Sequence, residues 1–334
     1  MDKLGLGLIG LGSIGRSHLY NCKQLKNAEL VAVADTSKKA LSHVTAFGFK
    51  NVHMYTKYED LLLDKSVDAV IIALPTHLHA TCVQKAAEAK KHILVEKPLA
   101  RNIKEGKEMI SSTKKNGVKL MVGYPMRFDP KLIDLKNSIV SGELGDVQVA
   151  HAINVSSGPF GHRSEEGTPQ PVPRWWFQRE LTGGGALIDL GSHLINLIRW
   201  YFGEVDEIKS FLGYRFNLDL EDHSICIAKF IKGPLVIFNV GWYSMAFHFK
   251  IDLLGTVKHA SVSNTVSRLP RIIKAGVNLL TSTSQSQIPY LRELGHFVYT
   301  IHKDLKPSPS GTDGLIDLEV ITKAYNNNCL LTYT

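Results

Sequence analysis

The stretch Gly10-Leu11-Gly12-Ser13-Ile14-Gly15 follows an apolar run, Leu4 to Ile9, and opens a segment of helical periodicity. In that context, a strand feeding a helix, the three glycines read as a dinucleotide fingerprint. Gly10 permits the tight turn, Gly12 lets the backbone approach a pyrophosphate, and Gly15 lets helix and strand lie close. Ser13 and Ile14 fall in the first helical turn, whose unbonded N–H groups and partial positive charge suit an anion. The next apolar run, Glu29 to Ala34, ends at Asp35, 20 residues after Gly15. A carboxylate there accepts hydrogen bonds from the adenine ribose and repels a 2′-phosphate, which predicts NAD as the cofactor. Lys38 and Lys39 follow closely and leave NADP open as an alternative.

From the fingerprint the same alternation continues. Apolar strands over Ala69 to Leu74, Ile93 to Val95 and Leu120 to Val122 are separated by amphipathic segments near Leu78 to Ala89 and Ile103 to Lys115. Continuous apolar strands joined by helices predict a doubly wound parallel sheet covered on both faces. After Gly123 the pattern changes. A helix over roughly Lys131 to Ser141 precedes β-branched and aromatic strand candidates at Val147 to Val155, Glu207 to Tyr214, Ser224 to Ile231, Leu235 to Tyr243 and Lys250 to Leu254. Lys232-Gly233-Pro234 reads as a hairpin turn between two of them. Helices around Leu187 to Phe202 and Leu315 to Tyr325 complete this part. The expected architecture is α/β: a Rossmann domain over 1–122, then an α/β domain over 123–334 with a large, mostly antiparallel open sheet. If its outer face is apolar, that sheet should pack against another subunit. Two segments are irregular: Ser156 to Pro173, rich in Gly, Pro and charged residues, and Val266 to Pro289, whose Arg268, Arg271 and Lys274 among apolar residues read as a lid or subunit-contact insertion, with a basic amphipathic segment that touches a membrane or a partner as the alternative.

The chain has 334 residues, 44% hydrophobic and 21% charged, enough for two domains with ordinary cores. No apolar stretch reaches the length of a membrane span. Met1-Asp2-Lys3 leads straight into a strand, so a cytoplasmic protein without a secretory signal is expected. Cys22, Cys82, Cys226 and Cys329 are far apart with no Cys-x-x-Cys, which predicts reduced thiols and no metal site. The net charge of +8 comes from 39 basic and 31 acidic residues. The basic residues are dispersed and form no nucleic-acid module, so the charge points to anionic small molecules rather than to nucleic acid.

Ligands in open α/β sheets sit beyond the carboxyl ends of the strands. Pro75-Thr76-His77-Leu78-His79 follows one such end and Glu96-Lys97-Pro98 another. Thr76 reads as a cofactor contact or a helix cap, with His79 and Glu96 as further candidate contacts. The run Gly183-Gly184-Gly185-Ala186-Leu187-Ile188-Asp189-Leu190-Gly191-Ser192-His193 puts Asp189 and His193 at i, i+4, on one face of a helix. Together with the fingerprint and Gly123-Tyr124-Pro125-Met126-Arg127-Phe128-Asp129-Pro130, these segments resemble, in order, those of the Gfo/Idh/MocA family, the glucose–fructose oxidoreductase and inositol dehydrogenase group. The resemblance spans essentially the whole chain. It implies an NAD-dependent dehydrogenase that oxidises a secondary hydroxyl of a sugar, sugar nucleotide, sugar phosphate or cyclitol, with Lys97, Asp189 and His193 as its catalytic centre. It also implies a homodimer or homotetramer, and a cis bond between Lys97 and Pro98.

The residue types suit that chemistry. An imidazole, with an ordinary pKa of about 6.5, is fit to take a hydroxyl proton, the role of His193. Lys97 can stabilise negative charge developing on the same oxygen or relay the proton, and Asp189 can orient Lys97 or substrate hydroxyls. Tyr124 and Arg127, with Arg163, Arg174 and Trp176 from the irregular segment, are candidate substrate contacts beside Lys97, Asp189 and His193. Trp175 and Trp176 read equally as an aromatic platform or as core. Many family members have Asp where this chain has Asn196, which alters a hydrogen bond near the site. Two other readings stay open: an NAD(P)-binding sensor without turnover, and an enzyme that uses tightly bound NAD in an internal redox cycle.

Overall fold

The computed structural model describes residues 3–161, 172–263 and 287–330. They form two compact units, one from 1–128 and 283–315, the other from 129–282 and 316–334. In the first unit, strands β1 (Leu4–Ile9), β2 (Ala28–Ala34), β3 (His53–Tyr55), β4 (Ala69–Ile72), β5 (His92–Glu96) and β6 (Leu120–Gly123) form one sheet in the order β3-β2-β1-β4-β5-β6. Every pairing is parallel. Helices α1 (Ser13–Cys22), α2 (Lys38–Ala46), α3 (Tyr58–Leu63), α4 (Thr76–Glu88) and α5 (Ile103–Asn116) connect the strands. The strand order reverses between β1 and β4, the switch point where such sheets bind ligands, and the glycine stretch leaves β1 there. All residues of β1, β4 and β6 are buried, which is why their sequences are unbroken apolar runs.

The second unit is built on a seven-stranded sheet. After α6 (Pro130–Val140) come β7 (Val147–Val155) and the single turn α7 (Arg179–Thr182). A π-helical turn, Leu187–Gly191, then runs directly into α8 (Ser192–Phe202). Strands β8 (Val205–Gly213), β9 (His223–Phe230), β10 (Leu235–Gly241), β11 (His248–Gly255) and β12 (His259–Ser263) follow. A last strand, β13 (Asn328–Leu330), closes the order β12-β11-β7-β10-β9-β8-β13. The sheet is mixed: β7 with β10 and β8 with β13 pair in parallel, the rest antiparallel. In β9 burial alternates strictly, Ser224, Cys226, Ala228 and Phe230 inward. On the other face Phe211, Ile225, Ile227 and Leu235 are each 40–46% exposed.

The division into units departs from the 122/123 boundary expected from sequence. Helix α9 (Ile288–His302) belongs to the first unit, where Leu294, Phe297 and Val298 join Leu6, Leu8, Leu19 and Met121 in one core. Burying Leu294 and Phe297 completely stabilises that arrangement by about 1.5–3 kcal/mol each. The unit boundary then falls inside α10 (Gly311–Asn326). Most of the segment read as a basic insertion, Val266 to Pro289, lies outside the described residues.

Candidate active site

The glycine stretch is shaped by two different constraints. Gly10 has φ +92°, and a Cβ on Gly15 would lie 2.0 Å from the Gly10 carbonyl oxygen, so the fold itself demands both glycines. Gly12 is different: a Cβ there meets nothing within 4 Å. Its missing side chain leaves open space directly at the N-terminus of α1, where no side chain caps the helix. Ser13 and Ile14 are exposed beside it, Ile14 at 40%. An uncapped helix start under an open cradle fits the pyrophosphate of a dinucleotide. Asp35 Oδ2 accepts the Leu11 N–H (2.7 Å) and Oδ1 the Ser37 N–H (2.8 Å), which fixes the carboxylate beside the glycine stretch. Residues Gly10 to Gly15 and Asp35 therefore fit NAD.

The end of β5 carries Glu96 and Lys97. Lys97 is half-buried and its bond to Pro98 is cis, as the resemblance implied. Glu96 is only 8% exposed, with Oε1 2.7 Å from His18 Nε2 and Oε2 accepting the Lys97 N–H at 3.3 Å. Glu96 thus supports the lysine's backbone from below. His79, expected to touch the cofactor, has another use. It is 1% exposed, with Nδ1 3.0 Å from the Pro98 carbonyl and Nε2 2.8 Å from that of Leu74. Burial lowers its pKa from the ordinary value while the carbonyls of Leu74, Pro98 and Leu99 act the other way, and the ring lies between the strand end of β4 and the Lys97-Pro98 turn. Thr76 is the first residue of α4, half-buried, and Pro75 rather than Thr76 occupies the cap position.

Tyr124 is 2% exposed, and Arg127 is 7% exposed with Nη2 3.8 Å from Asp313 Oδ1. That ion pair ties the 3-10 turn Pro125–Phe128 to the first turn of α10. Arg163 lies outside the described residues. In the second unit, Arg174 is exposed on the 3-10 turn Arg174–Phe177, and Trp175 and Trp176 are half-buried, ring edge to ring face with centroids 5.7 Å apart.

Asp189 sits within the π turn and His193 in the first turn of α8, both half-buried. The wide turn adds a residue between Asp189 and the regular helix, so the pair is not the plain α-helical i, i+4 couple expected; π turns of this kind concentrate at functional sites. Trp242 Nε1–H donates to Asp189 Oδ2 at 3.1 Å. The approach to the turn is organised by Glu221, which the sequence does not single out. Its buried Oε1 accepts the N–H groups of Gly185 (2.9 Å) and Leu187 (3.1 Å) and the Tyr325 hydroxyl (2.7 Å). The glycine run has a steric cause: a Cβ on Gly184 would lie 2.1 Å from the Tyr325 hydroxyl, and one on Gly185 2.0 Å from the Glu221 carbonyl. Asn196 is fully buried and donates to Asp317 Oδ2 (2.6 Å), while Arg199 Nη1 donates to Oδ1 (2.5 Å). An amide is what this position needs, because the neighbouring carboxylate must be given a hydrogen.

Among the described residues no group of three or more His, Cys, Asp or Glu could hold a metal ion, and no helix is long and apolar enough to cross a membrane.

A doubly wound parallel sheet with an open glycine cradle at its switch point defines a dinucleotide-binding fold. The family follows from direct comparison. Residues 4–124 match the model of the oxidoreductase family with NAD-binding Rossmann fold, and residues 132–261 that of the GFO/IDH/MocA C-terminal domain. The chain belongs to the Gfo/Idh/MocA family of oxidoreductases. It is 33% identical over 326 residues to an inositol 2-dehydrogenase of Salmonella paratyphi B, covering 94% of this chain and 90% of that one. It is 28% identical over 329 residues to the myo-inositol 2-dehydrogenase of Thermotoga maritima, covering 94% and 92%. The fold is similar to that of the WlbA dehydrogenase from Bordetella pertussis, solved with NADH and UDP-GlcNAcA, with TM-score 0.81, 24% identity and coverage of 98% and 95%.

Proposed function

We propose that this oxidoreductase oxidises a secondary hydroxyl of a cyclitol, sugar, sugar phosphate or sugar nucleotide. The observation that carries the proposal is the open cradle at Gly12, together with Lys97 placed at the end of β5 by Glu96 and His79. Bound in that cradle, NAD supplies the hydride acceptor. Lys97 holds the substrate oxygen and stabilises the charge that grows on it as the C–H bond weakens. His193 takes the hydroxyl proton, and Asp189, steadied by the Trp242 indole, orients the polyol. The inositol dehydrogenases among the relatives favour a polyhydroxylated ring, and +8 net charge favours one bearing phosphate or nucleotide. The exposed Phe211, Ile225, Ile227 and Leu235 support a homo-oligomer formed through the open sheet. Cys22, Cys82 and Cys226, buried as free thiols, suit a reducing cytoplasmic setting.

The test is NADH formation by absorbance, with NAD and then NADP, across inositols, sugars, sugar phosphates and sugar nucleotides. The expected result is turnover of one substrate class, reduced at least about 100-fold in Lys97→Ala with NADH binding retained. Bound NAD without turnover of any class would shift the assignment to a sensor or an internal redox cycle.

A further inference from the structure

Beneath the Glu96-Lys97-Pro98 turn lies a second carboxyl that the proposed chemistry does not use. Glu293, on the helix Ile288–His302, is completely buried, and neither of its oxygens has a hydrogen-bond partner of good geometry. The polar groups on the elements that share its helix's core can be named element by element. From Ser13–Cys22 come His18, itself 0% exposed with Nδ1 unpartnered, and Asn21. From His92–Glu96 comes the Glu96 carboxylate, and after Leu120–Gly123 the backbone N–H of Tyr124. The 3-10 turn Pro125–Phe128 carries Arg127, paired with Asp313. Its own helix adds Tyr290, edge-on to the His18 ring at 5.9 Å, and His296.

Two carboxyls confined in a low-dielectric core cannot both ionise cheaply. Their surroundings are unequal. Glu96 has two partners, His18 Nε2 at 2.7 Å and the Lys97 N–H at 3.3 Å. It is also confined, since a Cβ on Gly123 would sit 3.2 Å from three of its carboxyl atoms. Glu293 has only the Tyr124 N–H to favour its charged form. We infer that Glu293 is a positioning residue for Lys97: it stands as the neutral acid, so that the buried pair carries one negative charge, on Glu96, and the lysine-bearing turn stays in place. Burial first, and the Glu96 charge second, push the Glu293 carboxyl well above the usual range. When its proton leaves to solvent in alkali, two buried carboxylates repel, and Glu96 moves with the residue next to it.

This role rests on Lys97 being the catalytic lysine, so the test separates the two. Infrared spectra at pH 7 should show a protonated-carboxyl band that Glu293→Gln removes; in wild-type protein labelled with 13C-carboxyl glutamate the same band should titrate away only in alkali, a measurement that needs no variant. Amide exchange in a peptide covering residues 93–100 should be about tenfold faster in the wild type than in Glu293→Gln at pH 9, one pH unit's worth of coupling, and equal in the two at pH 6. The melting temperature of Glu293→Gln should gain on the wild type as pH rises above the ordinary glutamate value. The sign follows from linkage: a folded state that keeps a proton the unfolded chain releases loses stability with rising pH. A missing band at pH 7, or exchange that responds to alkali alike in both proteins, overturns the inference. Undiminished turnover in Lys97→Ala overturns the reading of Lys97 instead, and leaves the band and exchange results to stand for the carboxyl pair.

Discussion

Gly12→Ala should separate binding from stability. The position has φ −65°, which alanine adopts without strain, and an added Cβ meets nothing within 4 Å. Two small effects oppose each other in the protein alone. Alanine is a poorer helix cap than glycine, costing roughly 0.5–1 kcal/mol, while the stiffer unfolded chain returns about 0.4–1 kcal/mol. The melting temperature should therefore stay within about 2–4 °C of the wild type. The cofactor meets a different situation, because the methyl group enters the space that a pyrophosphate needs to reach the helix N–H groups. Loss of one charge-assisted hydrogen bond, about 1.5–3 kcal/mol, weakens NADH binding roughly 10- to 150-fold. Gly15→Ala is the control with the opposite signature: its Cβ would lie 2.0 Å from a backbone oxygen, so stability should fall by about 2–3 kcal/mol or more. Thermal melts and calorimetric NADH titration on the three proteins read both quantities. Wild-type NADH affinity in Gly12→Ala would refute the assignment of the open cradle to the cofactor.

Other substitutions probe the second unit. Glu221→Ala should cost about 3–5 kcal/mol in denaturant unfolding, since one buried oxygen serves Gly185, Leu187 and Tyr325, whereas Glu221→Gln, which keeps an acceptor there, should recover most of it; equal losses would show that charge, not the acceptor, matters. Asn196→Asp places a second carboxyl against Asp317 and should destabilise by about 2–4 kcal/mol near neutral pH. The new group's folded pKa is raised by burial and its neighbour, so the deficit should be smallest in acid and grow as pH rises past about 4, and a pH-independent deficit would contradict this. Ile225→Glu with Ile227→Glu should lower the mass measured by light scattering to that of a monomer, and an unchanged mass would remove the open sheet as the contact surface.

The legible parts of the fold were those written locally. The glycine stretch stands between a strand and a helix, and buried parallel strands such as Ala69–Ile72 are apolar without interruption, so both the sheet and its switch point follow from short windows of sequence. The return of Ile288–His302 to the Rossmann unit was not legible, because what brings it there is packing against residues nearly 300 positions earlier. The parallel pairing of Val147–Val155 with Leu235–Gly241 has the same origin. Site residues divide along a similar line. Lys97, Asp189 and His193 stand in recognisable blocks, but Glu221 and Glu293 are single acidic residues whose burial gives no local signal. His79 shows the converse: a histidine beside a strand end invites a ligand, and only the carbonyls of Leu74 and Pro98 reveal that the backbone has taken it.

The helix Ile288–His302 also sets an order of events during synthesis. The six strands of the first sheet leave the ribosome by residue 123, yet Leu294, Phe297 and Val298 finish their core. At ~5–20 residues per second, the intervening chain takes of the order of ten to thirty seconds to appear. Throughout that interval Leu19 and Met121 lack the side chains that complete their core in the folded chain.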